Sequence, residues 1–447
     1  TSGGTGGYCV PGPGDNVFFD AGSGFTSTNK TVTVDNISYA HNVTFAGSAV
    51  APTLTQSGSQ TLNIYGSSVW QAGMGQINVN NIYYRHTGEA KTITSNGVIT
   101  GSSSAGSVIY FEEENSISLL DDFSVGYNLY HNAGTFNTNS NNVTISYNYI
   151  ANSGTKPRTI NLGSSTITFK SSMSAFNTNS ANVTLNSGTS HIIFTSLTNS
   201  TSSYGIVPYT NQVFYDITFE RLGALGGTHS GTVYYNKVVF LGDGNLYGDN
   251  NFKSLIFSPS KTYTLPSGKT QTIVNLFSAN TPQCGGWSTI KSSTAGTQAN
   301  ISAAAGVTID IFGAIIQDVN ATGGANFTAN NSVDNSNNTG WIFPAYTGQN
   351  LYWVGGSGNW NDKAHWSQTS GGTGGYCVPG PGDNVFFDAG SGFTSTNKTV
   401  TVDNISYAHN VTFAGSAVAP TLTQSGSQTL NIYGSSVWQA GMGQINV

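Results

Sequence analysis

Charge is what this chain has least of. Its 447 residues include 14 Lys plus Arg and 20 Asp plus Glu, so that 8% is charged, against roughly 25% in ordinary soluble domains. The net charge of −6 comes with no cluster of basic residues, which excludes a nucleic-acid surface from the expected functions. Few groups remain for acid–base chemistry, and no enzymatic activity is expected. No stretch of about 18 apolar residues is present to span a membrane as a helix, so membrane insertion is not expected either. No segment of ten or more residues holds a 3.6-residue apolar period, which leaves helix a minor component. The chain opens on Thr1 without an initiating Met or a signal peptide. That is how a window cut from a longer protein would read, and it leaves targeting unread.

Cysteine is nearly absent: Cys9, Cys284 and Cys377. Two per repeat suffice for one disulfide in an exported protein, with Cys284 and Cys377 as the candidate pair. Small buried hydrophobes is the other reading. No paired C-x-x-C suggests zinc.

What is abundant is repetition. Thr369 to Val447 restates Thr1 to Val79 residue for residue, an offset of 369 − 1 = 368. Identity at loop and core positions alike points to a recently duplicated tandem array, a deliberately built duplication being the plainer alternative. The expected divisions are a repeat unit over 1–343, a junction over 344–368 that completes the period, and the next repeat from 369 to 447. Four of the seven Trp, Trp341, Trp353, Trp360 and Trp366, fall in or beside the junction, enough aromatic area to fix one unit against the next. His365, between two of them, reads as a packed junction residue.

Within the period the chain is strand and turn. TVTVDNISYAHNVTF from Thr31, NVTISYNYI from Asn142 and NVTLNSGTSHIIFTS from Asn182 alternate β-branched or aromatic with polar residues, the period-2 mark of strands with one buried face. FNTNSNNVTIS at Phe136 and FNTNSANVTLN at Phe176 lie 40 apart, which suggests two coils of about 20 residues. Phe219, Phe240 and Phe257 continue such steps. Coils of this kind stacked at about 4.8 Å make a parallel β-solenoid, with aromatic stacks inside and Asn ladders at the turns. A unit of 368 residues then makes roughly 18 coils and a rod on the order of 90 Å. A sandwich would need many tight hairpins, and only Asn96-Gly97 and Asp243-Gly244 resemble them.

The junction sequence adds a resemblance. IIQDVNATGGANFTANNSVDNSNNTGWIF from Ile315, YWVGGSGNWNDKAHWS from Tyr352 and GGTGGYCVPGPGDNVFFDAG from Gly371 resemble the repeated units of very large bacterial surface proteins, notably of Bacteroidetes. The resemblance implies an all-β, right-handed parallel β-helix in an exported cell-surface adhesin or filament, with type IX export in gliding members. Its partners would be neighbouring identical repeats, self-association into filaments, and surface glycans. Rigid stalk, surface attachment and gliding are the roles implied.

Each chemical candidate has a plainer reading beside it. β-Helices also house polysaccharide lyases and hydrolases, which need carboxylates or bases converging in a groove. The one acidic concentration is Glu112, Glu113, Glu114, Asp121 and Asp122, and adjacent carboxylates point to different faces, so a solvated turn is expected. The seven His, His229 among them, show no metal spacing. Asp15 and Asp20, copied as Asp383 and Asp388, sit in Gly-rich turns that would suit calcium; turn-capping Asp is the plainer assignment. Tyr83, Tyr84, Tyr127, Tyr130, Tyr147 and Tyr149 would offer a glycan-stacking face or fill interior stacks.

Overall fold

In a computed structural model the described residues are 6, 9–198, 201–226, 231–281, 284, 286–345, 348–442 and 445–447. The chain is all-β, 45% strand and 2% helix, and its strands stack as parallel coils of a β-solenoid of about 17 turns. It divides into two compact units, Thr1–Ile256 with Lys269–Asn275, and Phe257–Gly268 with Leu276–Val447. The segments 344–368 and 369–447 therefore lie in the same unit as 276–343.

In the first unit the coils through Val183–Asn186 draw on three sheets, and those after it on two. One coil holds Val108–Phe111, Ser116–Leu119 and Phe123–Val125, and the next holds Asn128–His131, Gly134–Asn137 and Val143–Ile145. They pair in parallel, with Ile109 opposite Leu129, Ile117 opposite Phe136 and Phe123 opposite Val143. Alternation sends Ile109, Phe111, Ile117, Leu119, Phe123 and Val125 inward, where all are buried. Parallel register makes like residues stack: Phe169, Phe194, Phe219 and Phe240 form a ladder with centroids 4.8, 5.1 and 4.9 Å apart. Outside, the Asn161 amide donates to Asn137 Oδ1 at 2.6 Å and Asn186 donates to Asn161 Oδ1 at 2.7 Å, a ladder carried by strand ends rather than by turns.

Two expectations change. The 40-residue offset does not mark two coils of equal length. Phe136 pairs with Ile160 on one sheet, whereas Phe176 pairs with Tyr149 on another, steps of 160 − 136 = 24 and 176 − 149 = 27. Corner loops such as 151–157 lengthen a coil without disturbing strand register, so similar sequences drift onto different faces. Asn96 and Gly97 do have the paired positive φ of a hairpin turn, 48° and 77°. The strands they join, Lys91–Thr94 and Ile99–Thr100, nevertheless belong to different sheets, and the turn makes a coil corner.

In the second unit, Thr262–Leu265, Ser288–Ser292, Ala314–Gln317 and Val333–Asp334 stack in one sheet. A new set of sheets then begins at Asn350–Trp353 and continues through Ser436–Val437.

Candidate functional site at the repeat junction

The junction segment is the first coil of the repeat that follows it. Asn350–Trp353 pairs in parallel with Asn384–Phe387, Asn350 opposite Asn384 and Leu351 opposite Val385. Alternation buries Leu351 and Trp353. Gly355 and Gly356, with φ of 86° and 80°, then turn the chain where L side chains would be strained. A Cβ on Gly356 would lie 2.2 Å from the Asn397 amide. Gly358–Asn359 pairs with Val400 and Thr401. Asp362 caps a single 3₁₀ turn, accepting from the Ala364 N–H at 2.9 Å, and Trp366–Ser367 returns antiparallel to Tyr352 and Trp353. The outer edge of the following sheet is thereby closed.

Three of the four junction tryptophans meet here. Trp353, Trp360 and Trp366 are fully buried with Val385, Phe387, Val400, Val402 and Phe413. Trp366 stands edge-on to Trp353 at 5.1 Å and to Trp360 at 5.2 Å, and Phe387, within 5.8 Å of all three, stacks on Phe413 at 3.9 Å. The indole N–H groups of Trp353 and Trp366 donate to Gly356 O and Trp360 O, each at 2.6 Å. His365 lies flat on Trp353 at 4.6 Å, packed as expected. Trp341 does not join them. It packs on Phe327 at 5.3 Å and donates to Val319 O at 3.2 Å, closing the preceding coils instead.

The duplicated sequence offers an internal comparison. Val385, Phe387 and Val400 are fully buried beneath the tryptophans; their counterparts Val17, Phe19 and Val32 are only half-buried, and Phe18, counterpart of the half-buried Phe386, is 62% exposed. Cys377, Pro379, Pro381 and Asp383 are buried, whereas their counterparts Cys9, Pro11, Pro13 and Asp15 are exposed. The cause lies within the second unit. Cys377 is disulfide-bonded to Cys284 with Cα atoms 4.5 Å apart, while Cys9 is a free thiol. The Trp287 indole lies against Gly380 so closely that a Cβ there would meet it at 2.0 Å.

A cleft of about 330 Å³ beside this contact is lined by Lys261, Cys284, Trp287, Asn361, Pro379 and Tyr407 among others, and Lys261 is the one charged residue among the described residues that line it. The disulfide closes a span of 93 residues. Reduction, or Cys284→Ser, should cost about 2–4 kcal/mol in the second unit. Denaturant unfolding of oxidised and reduced chains checks this, the first unit's transition being unmoved.

The acidic run departs from expectation. Glu113 is not solvated: its side chain and that of Lys91 are both fully buried, in direct contact with each other. Glu113 also accepts from the backbone of Thr87 and Asn115, each at 3.0 Å. Glu112 pairs with Arg85 at 2.5 Å and Glu114 with Lys156 at 2.6 Å. Basic residues scattered singly along the sequence are thus brought one coil (Arg85, Lys91) or two coils (Lys156) away to face one carboxylate each, a placement invisible without the coil register. Asp121 and Asp122 accept from the Ser95 and Asn142 backbone N–H groups, each at 2.7 Å.

The calcium candidates cap turns. Asp15 and Asp383 accept from Gly12 and Gly380 N–H at 2.8 Å, and Asp20 and Asp388 from Gly22 and Gly390 N–H at 2.9 Å. Asp383 further accepts from the Gln349 N–H at 3.0 Å, so one capping residue also binds the junction coil. Among the described residues no group of three or more His, Cys, Asp or Glu converges as a metal site; His229 lies outside them.

The tyrosines divide. Tyr84 and Tyr149 are interior, and burial pushes both hydroxyls up. Tyr83 and Tyr110 stack face to face on the outside at 4.1 Å, with the Arg85 guanidinium over the other face of Tyr83 at 3.9 Å. Tyr127 and Tyr147 stack likewise at 4.6 Å. Each stack covers one face of each of its rings, and Arg85 covers the second face of Tyr83.

Two buried groups contribute to the acid response. Burial pushes His131, held by Tyr149 Oη and Gly134 O, from 6.5 down to about 4. The unfolded chain thus takes up a proton that the fold refuses, and stability falls as pH drops from about 6.5 to 4. Glu113 adds to this. Burial opposes its charge, but Lys91 and the backbone amides prevail and hold it at about 2 against 4.5, so its contribution is lost between those values. Melting temperature should fall on both limbs, and His131→Gln should lessen the fall on the upper one alone, to which His191, also pushed down by burial, contributes.

No protein-family model, curated protein or solved structure matches the chain.

Proposed function

We propose that the chain is a structural repeat of an exported bacterial surface filament or giant adhesin, acting as a stalk and contributing to attachment through repetition. The observation that carries this reading is the disulfide-linked junction, where one repeat's Cys284 and Trp287 seat the Pro-Gly loop of the next copy. Surfaces made to join copies of a unit are what an array requires. A disulfide also suits an oxidising, extracellular location. Many weak contacts along such an array would add by avidity.

A carbohydrate-active enzyme or glycan-binding module would need free carboxylates or ring faces. Glu112, Glu113 and Glu114 each bind a cation, and the outward tyrosines stack on one another. Electron microscopy of a protein with three full periods tests the reading. Repeats at constant spacing and orientation support a stalk; lobes in variable orientation, together with polysaccharide turnover, would sink it.

A further inference from the structure

The first unit ends in an apolar cleft of about 190 Å³, lined by Val10, Val17, Phe19, Val32, Val34 and Leu54 among others. Among the described residues, Val17–Phe19 pairs only with Val43–Phe45, and Thr31–Val34 only with Thr53–Gln56. Each strand presents one unpaired edge, an arrangement that invites another strand.

We propose that this end is a docking site for a Trp-rich strand with the sequence of residues 349–368, presented by a second copy of the repeat. The identical surface in the second unit carries that segment. Val378, Val385, Phe387, Val400, Val402 and Leu422 are the counterparts of the six cleft residues, offset by 368, and pack in or against the cluster of Trp353, Trp360 and Trp366. Backbone bonds fix the register there, Asn384 N–H to Gln349 O and Trp360 N–H to Thr401 O, both 2.8 Å. Transposed, Asn350 falls opposite Asn16, Leu351 opposite Val17 and Tyr352 opposite Phe18, with Gly358 opposite Val32. The Asn ladder extends too: Asn384 donates to Asn350 at 3.0 Å, and Asn16, already accepting from Asn42 at 2.6 Å, stands where Asn384 does. Tyr352 stacks on Phe386 at 5.0 Å, which gives the exposed Phe18 its partner. The docking is head to tail, so that it propagates instead of closing.

This inference rests on the tandem-repeat reading but is tested apart from it. A labelled synthetic peptide of residues 349–368 is titrated into the full chain and followed by fluorescence anisotropy. Saturable binding with a dissociation constant below about 100 µM is expected, and none for the same peptide with its three Trp replaced by Ala. Phe18→Ala should weaken binding about 3- to 10-fold, the worth of one aromatic pair. Phe18 is exposed, so this change leaves the fold intact, whereas Val17→Lys should abolish binding. No saturation at about 1 mM, or equal binding by the Phe18→Ala chain, overturns the inference. A protein whose repeats stack regularly yet binds no peptide keeps the stalk and loses the docking site. One that binds the peptide but whose arrays lack regular spacing does the reverse.

Discussion

Trp366→Ala should destabilise the second unit by about 3–5 kcal/mol, the cost of emptying a fully buried aromatic site. Trp366 touches Trp353, Trp360 and Phe387 at once, and its indole N–H closes the coil on Trp360 O. Its removal therefore opens a cavity and frees a buried carbonyl together. Hydrogen exchange reads the outcome in peptides spanning 349–368, whose sequence is unique in the chain, unlike that of 369–447. Their protection should drop while peptides from the first unit keep theirs. Trp360→Phe makes a sharper comparison. The Trp360 indole nitrogen has no hydrogen-bond partner among the described residues, so the change should cost about 1–2 kcal/mol for volume alone. Trp366→Phe should lose about 1 kcal/mol more for the broken bond.

Glu113→Gln should cost about 3–5 kcal/mol in the first unit, because it leaves the Lys91 ammonium buried without a counter-charge. The shape scarcely changes, so the loss is electrostatic. Lys91 makes one other hydrogen bond, to Thr87 Oγ1 at 2.7 Å, which does not replace a carboxylate. Adding Lys91→Met to Glu113→Gln should restore most of the stability, since replacing both buried partners is often near neutral. Glu114→Gln, on the exposed pair with Lys156, should leave stability nearly unchanged. Urea unfolding of the four chains checks the series. Equal effects at Glu113 and Glu114 would show that the buried pair is not electrostatically coupled.

The architecture was legible because a parallel solenoid writes itself in period 2. Strands such as Val143–Ile145 and Thr166–Phe169 alternate in sequence as they do in burial. The length of each coil was not legible, because corner loops such as 151–157 grow freely while pairing depends only on the strands. The exact 368-residue offset and the Trp content pointed to the junction. What they did not reveal is its phase: 350–367 is the first coil of the following repeat, and Trp341 belongs to the preceding coils. Backbone pairing decides that, and nothing in the residue types near 344 announces it. The ion pairs of Glu112, Glu113 and Glu114 were hidden for a related reason. Their partners lie 22 to 42 residues away, at distances fixed by coil register and not by local pattern.

The central claim is that the Trp segment seals the end of the repeat that follows it. The direct measurement is 19F NMR of the chain labelled with fluorotryptophan, assigned by single Trp→Phe variants, with a soluble nitroxide added. Trp353, Trp360 and Trp366 are fully buried while Trp438 is 38% exposed. The three junction resonances should keep their linewidths while that of Trp438 broadens. Broadening of all three alongside Trp438 would mean that the segment does not cover the repeat, and the account of the junction would fall.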